Sequence, residues 1–291
     1  MRETAVIPLE QVRAAFLKAC ALDVVTPKPG NVSAQSPGHG MSAAQFLVSA
    51  NAAIDALFAS GASVGQRILD AVTRTHEAVG CNTNLGIVLL VAPLAAALEE
   101  TGPAPSAQAW RDAASRVLAG LDVEDACLAY RAIALASPGG LGDAPEQSVH
   151  APPTVGLRDA MQLASERDSI ARQYANGFQD IFDTGLAACR EAPADAPEMA
   201  MLNVFLAFLG GWPDSHIVRK HGMTLAQSVT LAAREQHLRW QHMPLQLRRA
   251  LATPRLDAWD AELKARGINP GTSADLAVAT LFVAGCLETG R

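Results

Sequence analysis

Apolar residues recur at helical spacing along almost the whole chain. From Pro8 to Val25, the residues Leu9, Val12, Ala15, Phe16 and Ala19 share one helical face, with Pro8 suited to the first turn. Ser42 and Gln45 are spaced as a capping box for a helix over 43–60. A further helix is predicted over 64–79. Residues 87–100 are the most apolar stretch and predict a central helix. Ser106 and Asp122 open helices reaching about 120 and 135. Residues 157–190 read as continuous helix, 198–209 as another, and a short helix follows Asp214 and stops at Gly222. Thr224 with Gln227 and Thr272 with Asp275 are spaced as capping boxes for helices ending near Trp240 and Glu288, with a short helix over 254–264 between them. Strand-like alternation, heptads and repeats are absent from the sequence. The predicted fold class is all-α: a single compact multi-helix domain over 1–291, with long polar loops carrying the site.

The composition agrees with a large core. Of the 291 residues, 49% are hydrophobic and 18% charged, below the roughly 25% charged of an average domain. Aromatics are 5%, so the core is predicted to be built of Ala, Leu and Val. The net charge is -6 with no basic block, which argues against nucleic acid or an anionic membrane as a partner. Five scattered cysteines, Cys20, Cys81, Cys127, Cys189 and Cys286, form no CxxC pair and no Cys/His cluster; a reducing cytoplasmic setting fits. The longest apolar run, 87–98, is too short to span a bilayer, and the N-terminus has no signal-peptide layout. A homo-oligomer stays open.

The informative residues sit in loops and at helix starts. Thr26-Pro27-Lys28-Pro29-Gly30-Asn31-Val32-Ser33 stiffens one of only four lysines between prolines; this suits a phosphate oxygen, or else is an exposed turn. Asn82-Thr83-Asn84-Leu85-Gly86 precedes the most apolar helix. It suits an anion or ribose, or else simply caps the helix. In Asp214-Ser215-His216-Ile217-Val218-Arg219-Lys220-His221-Gly222, capping by Asp214 puts His216, Arg219 and Lys220 on one face. Such cations beside a carboxylate suit a polyphosphate with its metal; the bland reading is a solvated charged turn. Asn269-Pro270-Gly271 is a stiff turn ahead of Thr272 and Asp275. Asp168 and Arg172 have the spacing of an i,i+4 ion pair. His39 stands alone in a glycine-flanked loop.

Together Pro27-Lys28-Pro29-Gly30, Asn82-Thr83-x-x-Gly86, the segment 214–222 and Asn269-Pro270-Gly271-Thr272-x-Ala274-Asp275-Leu276 resemble the triphosphoribosyl-dephospho-CoA synthase family, in order and spacing from about 12 to 287. The resemblance implies an all-α enzyme that transfers the 5-triphosphoribosyl group of ATP to the 2′-hydroxyl of 3′-dephospho-CoA and releases adenine. Asn84-Leu85 stands where that family's usual pattern has His-Lys, and His39-Gly40-Met41 lacks the aspartate of its His-x-Asp-Met. With the loop 137–143 and the segment 167–174, these departures resemble a divergent branch found with genes for single-carbon-carrier (methanopterin-type) coenzymes. A related nucleotide-dependent transferase for such a coenzyme is therefore one alternative, and a non-catalytic helical nucleotide-binding module is another.

Breaking the ribose–adenine bond develops oxocarbenium character at C1. The resemblance then implies magnesium on the triphosphate, with Asp214 and Asp275 as metal-facing carboxylates and Asp168 as a third candidate. It implies His216 as general acid or base. The nucleotide set is Lys28, Gly30, Asn31, Ser33, Asn82, Thr83, Asn84, Arg219, Lys220, Asn269 and Thr272. The expected partners are ATP and a dephospho-CoA-like acceptor.

Overall fold

The computed structural model describes residues 7–36, 40–101, 105–137, 146–251 and 253–289, and every regular element among them is helical. His39 and most of the loop after Ser137 lie outside the described residues. The N-terminal half contributes α1 (Leu9–Val25), α2 (Ala43–Leu57), α3 (Val64–Val79), α4 (Leu85–Glu99), α5 (Ala107–Ala119) and α6 (Val123–Ala136). Then come α7 (Leu157–Ala164), α8 (Ser169–Asn176), a π-helical turn (Ile181–Gly185) and α9 (Leu186–Arg190). The C-terminal third holds α10 (Pro197–Gly211), α11 (Ser215–His221), α12 (Met223–Gln241), α13 (Leu245–Arg248), α14 (Pro254–Ala265) and α15 (Gly271–Thr289).

Two apolar helices form the centre. α4 is buried on nearly all sides, as its composition predicts. α15 packs against α1, α4 and α10. By length and composition α15 could cross a membrane, but most of it is buried inside the fold. Phe282 of α15 meets Phe16 of α1 at 6.3 Å, Phe58 at 5.7 Å and Trp110 of α5 at 5.8 Å between ring centroids. These edge-on and tilted contacts join the first helices of the chain to the last.

Local chemistry explains the helix ends. The Ser42–Gln45 capping box is present, Ser63, Ser106 and Asp122 cap the helices that follow them, and Asp214 caps α11. Three expectations are corrected. The stretch 157–190 is four pieces, because Asp168 caps a new helix through the N–H groups of Ile170 and Ala171 and α8 closes at Gly177. Thr224 and Gln227 form no capping box: α11 and α12 are separated by Gly222 alone, so α12 starts two residues too early for Thr224 to cap it. Thr272 and Asp275 form none either. α15 starts at Gly271, and Thr272 Oγ1 accepts from the backbone N–H of His216 on α11 at 3.2 Å.

Pro93 lies inside α4 and has no N–H to give the carbonyl of Leu89, one turn earlier. The buried Tyr174 hydroxyl of α8 donates to that carbonyl at 2.6 Å. A proline in one helix thus anchors another, and α8 begins at Asp168, on the cavity described below. Tyr174→Phe is expected to cost about 1–3 kcal/mol, the penalty for a buried carbonyl left unsatisfied. Adding Pro93→Ala restores an N–H to that carbonyl. In chemical denaturation Pro93→Ala should therefore recover more stability in the Tyr174→Phe background than in the wild type; equal effects in both would contradict this coupling.

Candidate functional site

A cavity of about 830 Å³ opens between the first turns of α4, α8, α11 and α15 and the loop after α1, with α6 and α7 as its far wall. Helix N-termini carry partial positive charge and favour anions. The cavity falls within the range of about 300–1,000 Å³ typical of small-molecule sites.

Packing and hydrogen bonds tie the polar loops together. Gly30 has φ +80°, and a Cβ there would lie 2.9 Å from Pro270 Cδ and 3.0 Å from the Ile268 carbonyl oxygen. The 26–33 loop therefore seats directly on the 269–271 turn. Asn31 Nδ2 donates to Asn269 Oδ1 at 3.0 Å across the same seam. Asp214 is buried and joins α11 to α15. Its Oδ1 accepts from the N–H groups of His216 (2.9 Å) and Ile217 (3.2 Å), and its Oδ2 accepts from Ser273 N–H (2.7 Å) and Ser273 Oγ (2.8 Å). A Cβ at Gly86 would lie 2.0 Å from Asp275 Oδ2. The glycine of the Asn82-Thr83-x-x-Gly86 pattern is thus the space that the Asp275 carboxylate occupies.

Eleven of the expected site residues line this one cavity: Asn31, Asn82, Thr83, Asn84, Asp168, His216, Arg219, Lys220, Asn269, Thr272 and Asp275. Lys28, Gly30, Ser33 and Asp214 are not among its lining residues. Lys28 is fully buried, with Nζ 3.2 Å from Asp23 Oδ1 and bonded to the carbonyls of Asp23 and Thr26. It is the counter-ion of a buried carboxylate, not an ammonium presented by an exposed loop. Both oxygens of Asp214 are taken up by the four protein donors. Asp168 is similarly committed, with Oδ1 capping α8 and Oδ2 accepting from Arg219 Nη1 at 2.8 Å. The expected Asp168–Arg172 pair is absent, since Arg172 pairs with Asp180 at 2.9 Å.

Asp23 escaped the sequence reading. It lines the cavity beside Asp275 and is buried. Its signal is a carboxylate inside an apolar helix, five residues before the lysine that neutralises it. Burial pushes the Asp23 carboxyl up and Lys28 opposes this; burial pushes the Lys28 ammonium down and Asp23 opposes that. Asp275 is held well above the usual carboxylate range by burial first, then by the charges of Asp23 and Asp214, with Arg219 opposing. Asp214 is raised by burial against the pull of its hydrogen bonds. Asp275 is half-buried, its exposed part lines the cavity, and it has no hydrogen-bond partner among the described residues.

The Asn82–Asn84 turn is bonded to its neighbours and also lines the cavity. Asn82 Oδ1 accepts from Leu85 N–H at 3.2 Å, Thr83 bonds to Ser49 of α2, and Asn84 Nδ2 donates to Thr75 of α3 at 3.2 Å. All three side chains still reach the cavity wall. Lys220 and Arg167, which also line the cavity, have no ion pair among the described residues. Arg167 is a second residue that the sequence reading left out of the site.

The sequence profile described as ATP:dephospho-CoA triphosphoribosyl transferase matches residues 9–290. A crystal structure from Archaeoglobus fulgidus, described as a candidate triphosphoribosyl-dephospho-CoA synthase, superposes with a TM-score of 0.64 at 23% identity, over 83% of this chain and 98% of that chain. At that identity the likeness concerns the fold. A search of curated proteins finds no significant match.

The buried pair generates a test of its own. Lys28→Met leaves Asp23 without its counter-ion and is expected to destabilise by about 3–5 kcal/mol. Adding Asp23→Asn removes the stranded charge and should return much of that loss. Thermal or urea unfolding of the three variants reads this directly. A Lys28→Met protein as stable as wild type would mean that the pair does not hold the loop.

Proposed function

Because the chain belongs to the ATP:dephospho-CoA triphosphoribosyl transferase family, we propose that this cavity moves the 5-triphosphoribosyl group of ATP onto a hydroxyl of dephospho-CoA and releases adenine. The observation that carries the reading is the convergence of four polar segments, far apart in sequence, on one cavity with a cationic rim and an unbonded carboxylate. A helical module that merely binds a partner would need no such convergence.

In the reaction the bond between ribose C1 and adenine N9 breaks and its electron pair leaves with adenine. A bond from the acceptor oxygen to C1 forms. The hydroxyl gives up one proton and adenine takes one up, so a single imidazole can carry it. His216 projects from the first turn of α11 into the cavity, with its Nδ1 where it would lie 3.1 Å from a Cβ on Gly271. It is the candidate carrier of that proton. Arg219, oriented by Asp168, binds the triphosphate together with Lys220 and Arg167. Asn31, Asn82 and Asn269 retain amide capacity for ribose and phosphate oxygens.

The donor set also bears on magnesium. No group of three metal-ligating side chains converges among the described residues, so a cage made of protein alone does not fit. Magnesium usually keeps waters and binds through one or two carboxylates plus substrate phosphates. Asp275 has no hydrogen-bond partner among the described residues, and Asp23 lines the cavity with its Oδ1 turned to Lys28. These two, rather than the saturated Asp214 and Asp168, would hold the ion. When bound, it would supply positive charge to the triphosphate.

The protein incubated with magnesium, ATP and dephospho-CoA should release adenine without ADP, AMP or inorganic phosphate, as followed by chromatography. His216→Gln should lower kcat by about 10²–10⁴-fold, the usual contribution of a positioned acid or base, while MgATP still raises the melting temperature. Lys220→Ala should weaken ATP binding by about ten- to hundredfold, the worth of a charged hydrogen bond, with the fold unchanged because the side chain is exposed. Release of ADP or phosphate in place of adenine would overturn the reading.

A further inference from the structure

The cavity has two chemically different ends. The charged and amide groups gather at α4, α8, α11 and α15. The opposite wall is largely apolar: α6 contributes Ile133 and Ala136, and α7 contributes Ala160, Met161 and Ala164, with Tyr130, Glu146 and Gln147 as its polar members. On α7, Leu157, Ala160, Met161 and Ala164 recur at helical spacing as one stripe. Such a stripe ordinarily buries itself against another helix. Here Leu157 is the only buried residue of α7, and the rest of the stripe faces the cavity. Leu135 and Leu163 lie on the same wall and are among the large apolar residues that the fold leaves exposed.

An ATP molecule gives this wall little to do. Its base, ribose and triphosphate call for the hydrogen bonds and cations of the other end. The acceptor named by the family differs from a simple nucleotide in one respect: beyond its diphosphate it carries a long, uncharged, flexible amide arm ending in a thiol. We propose that the α6–α7 wall is the subsite for this uncharged arm, so that acceptors are selected by what extends beyond the diphosphate as well as by the nucleotide. The proposal rests on the transferase reading for the identity of the acceptor, but its physical content is a binding preference that can be measured without turnover.

Two ligands separate the possibilities: dephospho-CoA, and the methyl ester of adenosine diphosphate, which has the same nucleotide and charge but no arm. Titration calorimetry on the wild-type protein should show dephospho-CoA binding about ten- to hundredfold more tightly, the range for burying apolar surface equal to one large side chain. Met161→Asp should remove that difference and leave the ester's affinity unchanged. Leu163→Glu, at a position 47% exposed and therefore harmless to folding, should reduce it. Equal affinity of the two ligands for wild type, or equal weakening of both ligands in the variants, overturns the proposal. Failure of the transferase reading looks different: the arm-dependent difference persists while ATP and dephospho-CoA yield no adenine.

Discussion

The site depends on one buried carboxylate. Asp214 accepts four hydrogen bonds, two from the first turn of α11 and two from Ser273 in the first turn of α15. These bonds hold two helix starts side by side at fixed rotation. With α11 fixed, His216, Arg219 and Lys220 point into the cavity. With α15 fixed, the Asp275 carboxylate meets the gap left by Gly86 on α4, and the 269–271 turn receives the Gly30 loop. Burying a carboxylate is costly unless donors surround it. Asp214 meets that condition with protein groups alone, and so acts as a structural latch between the two helices.

The other buried charges follow from the same accounting. Asp23 is kept by Lys28, and Asp168 by its own helix cap and by Arg219. Asp275 has no hydrogen-bond donor or ion pair among the described residues, and Arg219 is the positive charge that opposes its neighbours. A carboxylate on the cavity wall near two others, opposed by Arg219 and without a hydrogen-bond donor among the described residues, is the basis of the proposed cation site. The cationic rim and the acidic wall lie in one cavity, as a magnesium–polyphosphate substrate requires.

Helix positions were legible because they are local. The helix over 64–79 and those opened by Ser106, Asp122 and Asp214 could be read from spacing and capping chemistry, and the apolar character of α4 foretold its burial. Long-range facts could not be read in the same way. A capping box and a cavity carboxylate look alike at Asp275, and only the approach of α4 at Gly86 separates them. A proline-framed Lys28 reads as presented to solvent; its burial depends on Asp23, one turn back in a helix, closing over it. The Asp168–Arg172 spacing is a valid helical pair, yet each residue found a partner elsewhere because the helix begins at Asp168 itself. The family pattern picked out segments that meet at one cavity, but it did not say which side chain in each segment faces that cavity.

In the proposed reaction the triphosphate is bound and carried intact while the glycosidic bond is broken. The most direct measurement is phosphorus magnetic resonance of the reaction with dephospho-CoA. Three coupled triphosphate signals should persist in a product that also carries the acceptor's diphosphate, with one adenine released per product. Appearance of pyrophosphate or orthophosphate in step with ATP consumption would contradict it.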